Sequence, residues 1–217
     1  MSELSKRFFT SIVLIILLIL TFKYNLVLLL LLVLINFLVL IEFNMIFNKI
    51  FKNKYFQHFL AMSATLLYMI TFTLSAWIYL IQGNTNYKMS IIFFILICIA
   101  TDIGGFIFGK IIGGKKFTKI SPNKTYSGVV GSFILSLTLG FLFYKEFNHI
   151  LSFDINIIVL IVLISFISQC GDLLISFIKR KAKIKDTGQV LPGHGGILDR
   201  IDGILFAIPL GILIMLF

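Results

Sequence analysis

The sequence predicts an all-α, polytopic integral-membrane helical bundle of about seven transmembrane helices, with the N-terminus in the cytosol. Three observations lead there. Of the 217 residues, 59% are hydrophobic and 13% charged, and the mean hydropathy is +1.06; soluble domains carry about 45–50% apolar and about 25% charged residues. The apolar residues come in continuous runs rather than alternating, which excludes membrane strands. The basic residues fall predominantly on one side of those runs. Such a composition excludes a water-soluble globule, a disordered chain, a collagen-like repeat and a disulfide scaffold. Cys98 and Cys170 lie inside apolar runs and carry no redox information.

The runs are Phe8–Phe22, Leu26–Phe47, Phe59–Ile81, Met89–Phe108, Tyr126–Tyr144, Ile155–Ile178 and Gly203–Phe217. A helix needs about 20 residues to cross about 30 Å of hydrocarbon. The third to sixth meet that length, and the first and last are short and lean on flanking residues or a thinned bilayer. Lys23-Tyr24-Asn25 is expected to be a tight turn on the far side. The first run follows Lys6-Arg7 without a small-residue cleavage site, which reads as an uncleaved anchor. With this division, sixteen of the 19 Lys and Arg fall on one side (Lys6, Arg7, Lys49, Lys52, Lys54, Lys110, Lys115, Lys116, Lys119, Lys124, Lys179, Arg180, Lys181, Lys183, Lys185 and Arg200), and only Lys23, Lys88 and Lys145 on the other. The basic side is cytosolic. Topology therefore accounts for much of the net charge of +10, and no nucleic-acid-binding pattern accompanies it. The chain reads as one membrane domain over 1–217, with scaffold spans in 8–100 and the chemistry in 101–217.

Asp102 and Asp172 lie inside apolar runs, where a carboxylate costs a few kcal/mol and normally faces a cavity, a metal or a partner. Asp102 is seven residues from Gly109 and Asp172 seven from Lys179, the first residues past their runs, so the two sit at equal depth and can share a ligand. Ser165, Ser168, Asp172, Ser176 and Lys179 follow one helix face, as helix-packing serines or as the wall of a hydrated cavity. Gly105, Gly109 and Gly113 are four apart, the spacing of close helix packing. Gly109 to Lys115 mimics a phosphate-binding loop, but Lys116 stands where the hydroxyl is needed and no strand precedes it.

The densest segment is Ser176 to Asp202, SFIKRKAKIKDTGQVLPGHGGILDRID. Lys179, Arg180 and Lys185 are cations suited to phosphates. Pro192-Gly193-His194-Gly195-Gly196 excludes regular helix and presents backbone N–H groups in a turn. Asp199 and Asp202, three apart at the start of the last run, share a helix face. Carboxylates beside a phosphate cradle suit Mg2+, although acids at a helix N-terminus are favoured by the dipole alone.

This segment resembles the signature of the phosphatidate cytidylyltransferase (CDP-diacylglycerol synthase) family at Ser176, Lys179, Arg180, Lys185, Asp186, Gly188, Pro192, His194, Gly195, Gly196, Asp199, Arg200 and Asp202. Thr101-Asp102 with Gly105 and Gly109, Ser121-Pro122-Asn123-Lys124-Thr125, and Gly171-Asp172 are similar to further motifs of that family, so the resemblance covers about Asp102 to Asp202. One departure is Ser127, where the family commonly has Glu; the chain is also short for the family.

The resemblance implies condensation of CTP with phosphatidate to give CDP-diacylglycerol and pyrophosphate. It implies Mg2+ and a second metal ion, which could be monovalent, held by Asp172 and Asp199 with Asp102 and Asp202 as further ligands. Lys179, Lys185 and His194 join Asp172 and Asp199 as catalytic groups. Ser121, Lys124, Thr125, Arg180, Gly195, Gly196 and Arg200 are expected to bind substrate. The partners are CTP, phosphatidate and the bilayer, with no nucleic acid; a homodimer is an open option. A composition rich in Ile, Phe, Asn and Lys hints at an AT-rich bacterial genome and a bacterial plasma membrane, with the site facing the cytosol. The alternatives are a cytidylyltransferase for another lipid phosphate and, from a different class, a transporter using its intramembrane carboxylates as ion sites; a prenyltransferase or a CDP-alcohol phosphotransferase lacks its motifs here.

Overall fold

The structure is a computed structural model and describes residues 20–21, 23–81, 85–118, 120–151, 153–188 and 195–216. These residues form six helices: α1 (Asn25–Ile50), α2 (Tyr55–Ile81), α3 (Thr85–Ile111), α4 (Tyr126–Phe147), α5 (Ile157–Lys181) and α6 (Leu198–Leu216). Five of them, α1 to α5, contain a stretch long and apolar enough to cross a membrane. The all-α membrane reading therefore holds, and the second to sixth apolar runs each became a helix. Most helices outrun their apolar stretch by a turn at one or both ends, because polar residues such as Asn25, Lys49 and Lys110 continue a helix into the headgroup region. The seventh run became α6, which begins with Asp199 in its first turn and continues through Arg200 and Asp202, leaving Gly203–Leu216 as its uncharged part. The first run, Phe8–Phe22, lies almost entirely outside the described residues. Tyr24, extended at φ −125° and ψ 111°, separates it from α1, where the turn was expected.

Two compact units emerge. One contains the described residues up to Ile81 together with Ile178–Ile201; the other contains those from Gln82 to Phe177 together with Asp202–Phe217. In the first, α1 and α2 are joined by the Asn36 amide, which donates to Thr73 Oγ1 and to the Met69 carbonyl at 3.4 Å. Where α5 ends, Lys183 adopts the left-handed conformation at φ 57°. The Ile184 N–H then reaches back to the Lys179 carbonyl at 3.1 Å, which closes the last turn.

The second unit is organised by glycine. A Cβ at Gly104 would stand 2.5 Å from the Gly131 carbonyl oxygen, one at Gly105 2.8 Å from Ser132 Oγ, and one at Gly128 2.8 Å from the Gly105 carbonyl oxygen. A Cβ at Gly131 would overlap the Phe108 ring. Helices α3 and α4 therefore touch backbone to backbone, which only glycine permits. Gly109 belongs to the same contact, since a Cβ there would stand 3.2 Å from Thr125 Oγ1. Gly113 does not: it lies beyond the end of α3 at φ +64° with open space around it, so its role is to turn the chain, and its four-residue spacing was coincidental. Gly171 admits α6 to α5, since a Cβ there would lie 2.8 Å from the Asp202 carbonyl oxygen. Away from these crossings, Phe93 packs against Phe143 and Phe153 at centroid separations of 6.0 and 5.4 Å.

Gly131→Val should therefore cost about 2–3 kcal/mol or more by forcing α3 from α4, measured as a lower unfolding midpoint in detergent. The same change at Gly113 should strain the turn without separating the helices.

Candidate active site

The local fold around Asp102 starts with the residue before it. Thr101 is buried; its hydroxyl donates to Ser165 Oγ of α5 at 2.8 Å, and its carbonyl accepts from the Ser132 hydroxyl of α4 at 2.8 Å. One residue thus ties three helices together, and Asp102 follows at that junction. Asp102 and Asp172 each lie nine residues from the end of their helix, at Ile111 and Lys181, which is about 14 Å at 1.5 Å per residue. Both line one cavity of about 300 Å³, together with Ser121, Lys124, Thr125 and Gln169.

The loop between α3 and α4 brings Ser121, Lys124 and Thr125 to that cavity. Gly113 and Gly114, both at positive φ, reverse the chain. Lys116 and Thr125 form an antiparallel bridge, the Phe117 N–H donates to the Lys124 carbonyl at 2.8 Å, and the Lys124 N–H donates to the Ser121 carbonyl at 3.0 Å. Thr125 caps α4 by accepting the Gly128 N–H at 3.1 Å. Ser127 donates to the Gly113 carbonyl and stands 2.9 Å from Thr125 Oγ1. Where the family commonly has a carboxylate, this chain thus has a short side chain that fastens the loop to the end of α3.

Asp172 is held on both oxygens. Lys124 Nζ lies 2.5 Å from Oδ2, and the Ser176 hydroxyl donates to Oδ1 at 3.2 Å. The pair is about a quarter exposed, so it is reached by solvent through the cavity. The amide nitrogen of Gln169, one turn earlier, is buried without a hydrogen-bond partner among the described residues. The polar stripe on α5 is thus divided in use: Ser165 joins helices and Asp172 faces the cavity, as does Gln169, which lies outside the stripe.

Asp199 belongs to the other unit. Lys179 Nζ lies 2.6 Å from its Oδ1, and the Thr187 N–H donates to its Oδ2 at 2.8 Å. Lys179 is 9% exposed overall. Arg180 is exposed and its guanidinium donates to the Ile184 carbonyl at 3.1 Å; Lys185 and Arg200 are exposed. Asp202 Oδ1 accepts the N–H of its neighbour Gly203 at 2.8 Å. Gly195 sits at φ +85°, and Gly196 is buried. His194, with Pro192 and Gly193, lies outside the described residues. The structure thus gathers Asp102, Ser121, Lys124, Thr125 and Asp172 around one cavity, and Lys179 with Asp199 in the other unit. Among the described residues, no group of three or more His, Cys, Asp or Glu side chains is assembled.

The sequence profile of the cytidylyltransferase family matches residues 1–217. The chain belongs to the cytidylyltransferase family. Relatives named phosphatidate cytidylyltransferase come from Staphylococcus saprophyticus (39% identical over 137 residues, 62% of this chain and 52% of the relative), Staphylococcus haemolyticus (44% over 123 residues, 55% and 46%) and Haemophilus influenzae (43% over 114 residues, 51% and 40%). This cytidylyltransferase-family chain spans about half the length of the curated relatives it matches.

Two groups that sequence reasoning passed over belong to these sites. Gln169 gives no signal in the sequence beyond its polarity. Glu42 does: it is an acid inside the second apolar run, and it is wholly buried.

Removing the cap and removing the ion pair should have different consequences for stability. Thr125→Ala should lose about 1 kcal/mol through the uncapped N-terminus of α4. Lys124→Gln, at a partly exposed pair, should lose less than about 1 kcal/mol. Unfolding midpoints of the two variants in one detergent provide the comparison.

Proposed function

We propose that the chain is a phosphatidate cytidylyltransferase, condensing CTP with phosphatidate to form CDP-diacylglycerol and release pyrophosphate. The observation that carries this reading is the cavity in which acids from α3 and α5 meet Ser121, Lys124, Thr125 and Gln169. Its relatives of that name add to it. The reaction brings two polyanions together: a phosphate oxygen of phosphatidate bonds to the α-phosphorus of CTP as the bond to the β-phosphate oxygen breaks. Positioning and charge neutralisation are the main demands.

The donor set fits Mg2+, which takes one or two carboxylates and completes its shell with water and substrate phosphate. Asp102 and Asp172 would hold it here, and Asp199 keeps the metal-binding role that the family resemblance implies. When bound, the ion would neutralise phosphate charge and polarise the phosphoryl group. The rest falls to the chain. Lys124 offers a cation that can exchange Asp172 for phosphate, and the Ser121 and Thr125 hydroxyls and the Gln169 amide are donors for phosphate oxygens. Phe106 and Val129, also on the cavity wall, suit the glycerol and acyl part of an amphipathic lipid. The concentration of Lys and Arg in the loops beside the cavity supports a cytosolic site, the side where CTP is available.

The test is transfer of labelled CTP into lipid by purified protein with phosphatidate, with and without Mg2+. Asp172→Asn and Asp102→Asn should each lower turnover at least about 100-fold while the unfolding midpoint changes little. Wild-type turnover with phosphatidate near background, and brisk turnover with an isoprenoid phosphate, would reassign the acceptor. Near-normal turnover in Asp172→Asn would remove it from the site.

A further inference from the structure

Glu42 sits in the apolar helix α1, eight residues before its end at Ile50, and has no exposed surface. A carboxylate so placed persists only when its oxygens are fully supplied with donors, and the supply comes from one place. Oε1 accepts the Ile197 N–H at 2.8 Å, and Oε2 accepts the Leu198 N–H at 3.0 Å. These are amides at the N-terminus of α6, where helix N–H groups lack intrahelical partners and the dipole favours negative charge. The Thr187 hydroxyl is 2.5 Å from Oε2. The turn carrying Gly195 and Gly196 thus presents its following amides to an anion, and that anion is a side chain of this protein.

The surroundings are shaped to this contact. A Cβ at Gly188 would come within 3.3 Å of Glu42 Oε1, and one at Gly196 within 2.8 Å of Oε2 and into Thr187 Oγ1. Both glycines therefore leave the space that the carboxylate and Thr187 occupy. Thr187 also faces Asp199: its N–H donates to Oδ2 at 2.8 Å, and its hydroxyl is 3.0 Å from the same oxygen. The hydroxyl has one proton, and Glu42, the nearer acceptor, takes it. All of these residues lie in one compact unit.

We propose that Glu42 is a positioning residue for Asp199. It fixes Thr187 on one side and the Ile197–Leu198 amides on the other. These flank Asp199 and Lys179, so the Asp199 carboxylate is held in one orientation by a side chain 157 positions away in the sequence, at 42 against 199. The inference rests on the cytidylyltransferase reading only in taking Asp199 as a catalytic group; the clamp itself does not require it.

The test uses the full chain in detergent and reads both turnover and amide hydrogen exchange over residues 195–200. Glu42→Gln and Thr187→Val should each lower kcat at least about tenfold, leave KM for CTP within about threefold, and speed exchange at Ile197 and Leu198. Thr187→Ser should restore kcat, since it keeps the hydroxyl. The double variant Glu42→Gln/Thr187→Val should be no worse than either single one, because both act on Asp199 through the same contact. Glu146→Gln, which removes an exposed acid, should match wild type. Wild-type kcat and exchange in Glu42→Gln, or additive losses in the double variant, would overturn the proposal. Should Glu42→Gln not fold, Thr187→Val against Thr187→Ser decides it. If the wild type makes no CDP-lipid, the proposed activity fails on its own, and exchange at 197 and 198 alone decides the clamp: unchanged rates in both variants would sink it.

Discussion

A carboxylate inside an apolar helix is tolerable only when donors are brought to it, and that requirement governs how this protein is built. Glu42 takes backbone amides at the start of α6 and the hydroxyl of Thr187. Asp199 takes Lys179 and the Thr187 amide. Asp172 takes Lys124 and Ser176. Breaking the set around the wholly buried Glu42 leaves a charge in a poor solvent, a cost of several kcal/mol. Each acid therefore dictates the position of the residues that satisfy it: Thr187 and the Ile197–Leu198 amides are held by Glu42 and Asp199, and Lys124 by Asp172, through polar contacts rather than hydrophobic burial.

Helix packing supplies the other half of the architecture. Lipid offers no hydrophobic drive for helices to associate, so close approach and polar contacts must hold them. In the unit containing α3, α4 and α5, glycine does this at 104, 105, 128 and 131, and Thr101 adds hydrogen bonds in two directions. The consequence is chemical as well as mechanical. Backbone contact between α3 and α4 sets the distance across which Asp102 and the Ser121–Thr125 loop face one cavity, and the glycine before Asp172 lets α6 approach at that level.

Ion pairing with lysine has a functional side. In the cavity, Asp172 and Lys124 neutralise each other at a partly exposed position, where the pair contributes little stability. It keeps both groups ready: an arriving phosphate can take the lysine, and a divalent ion can take the aspartate. In the other unit the Lys179–Asp199 pair is more enclosed, with side chains 11% and 13% exposed, and exchange of partners there is more costly.

The sequence by itself determined that this chain is helical and membrane-embedded, because composition and the length of apolar runs are local properties that the bilayer reads directly. It also determined the family and the equal depth of Asp102 and Asp172, since motif spacing and helical rise are properties of the chain alone. What only the tertiary structure decided was partnership. That Lys124 meets Asp172, that Gly113 turns while Gly109 packs, and that the amides after Gly196 are given to Glu42 are facts about residues far apart in sequence. Periodicity ranks faces of one helix; it carries no term for which donor, on which other segment, relieves a buried charge.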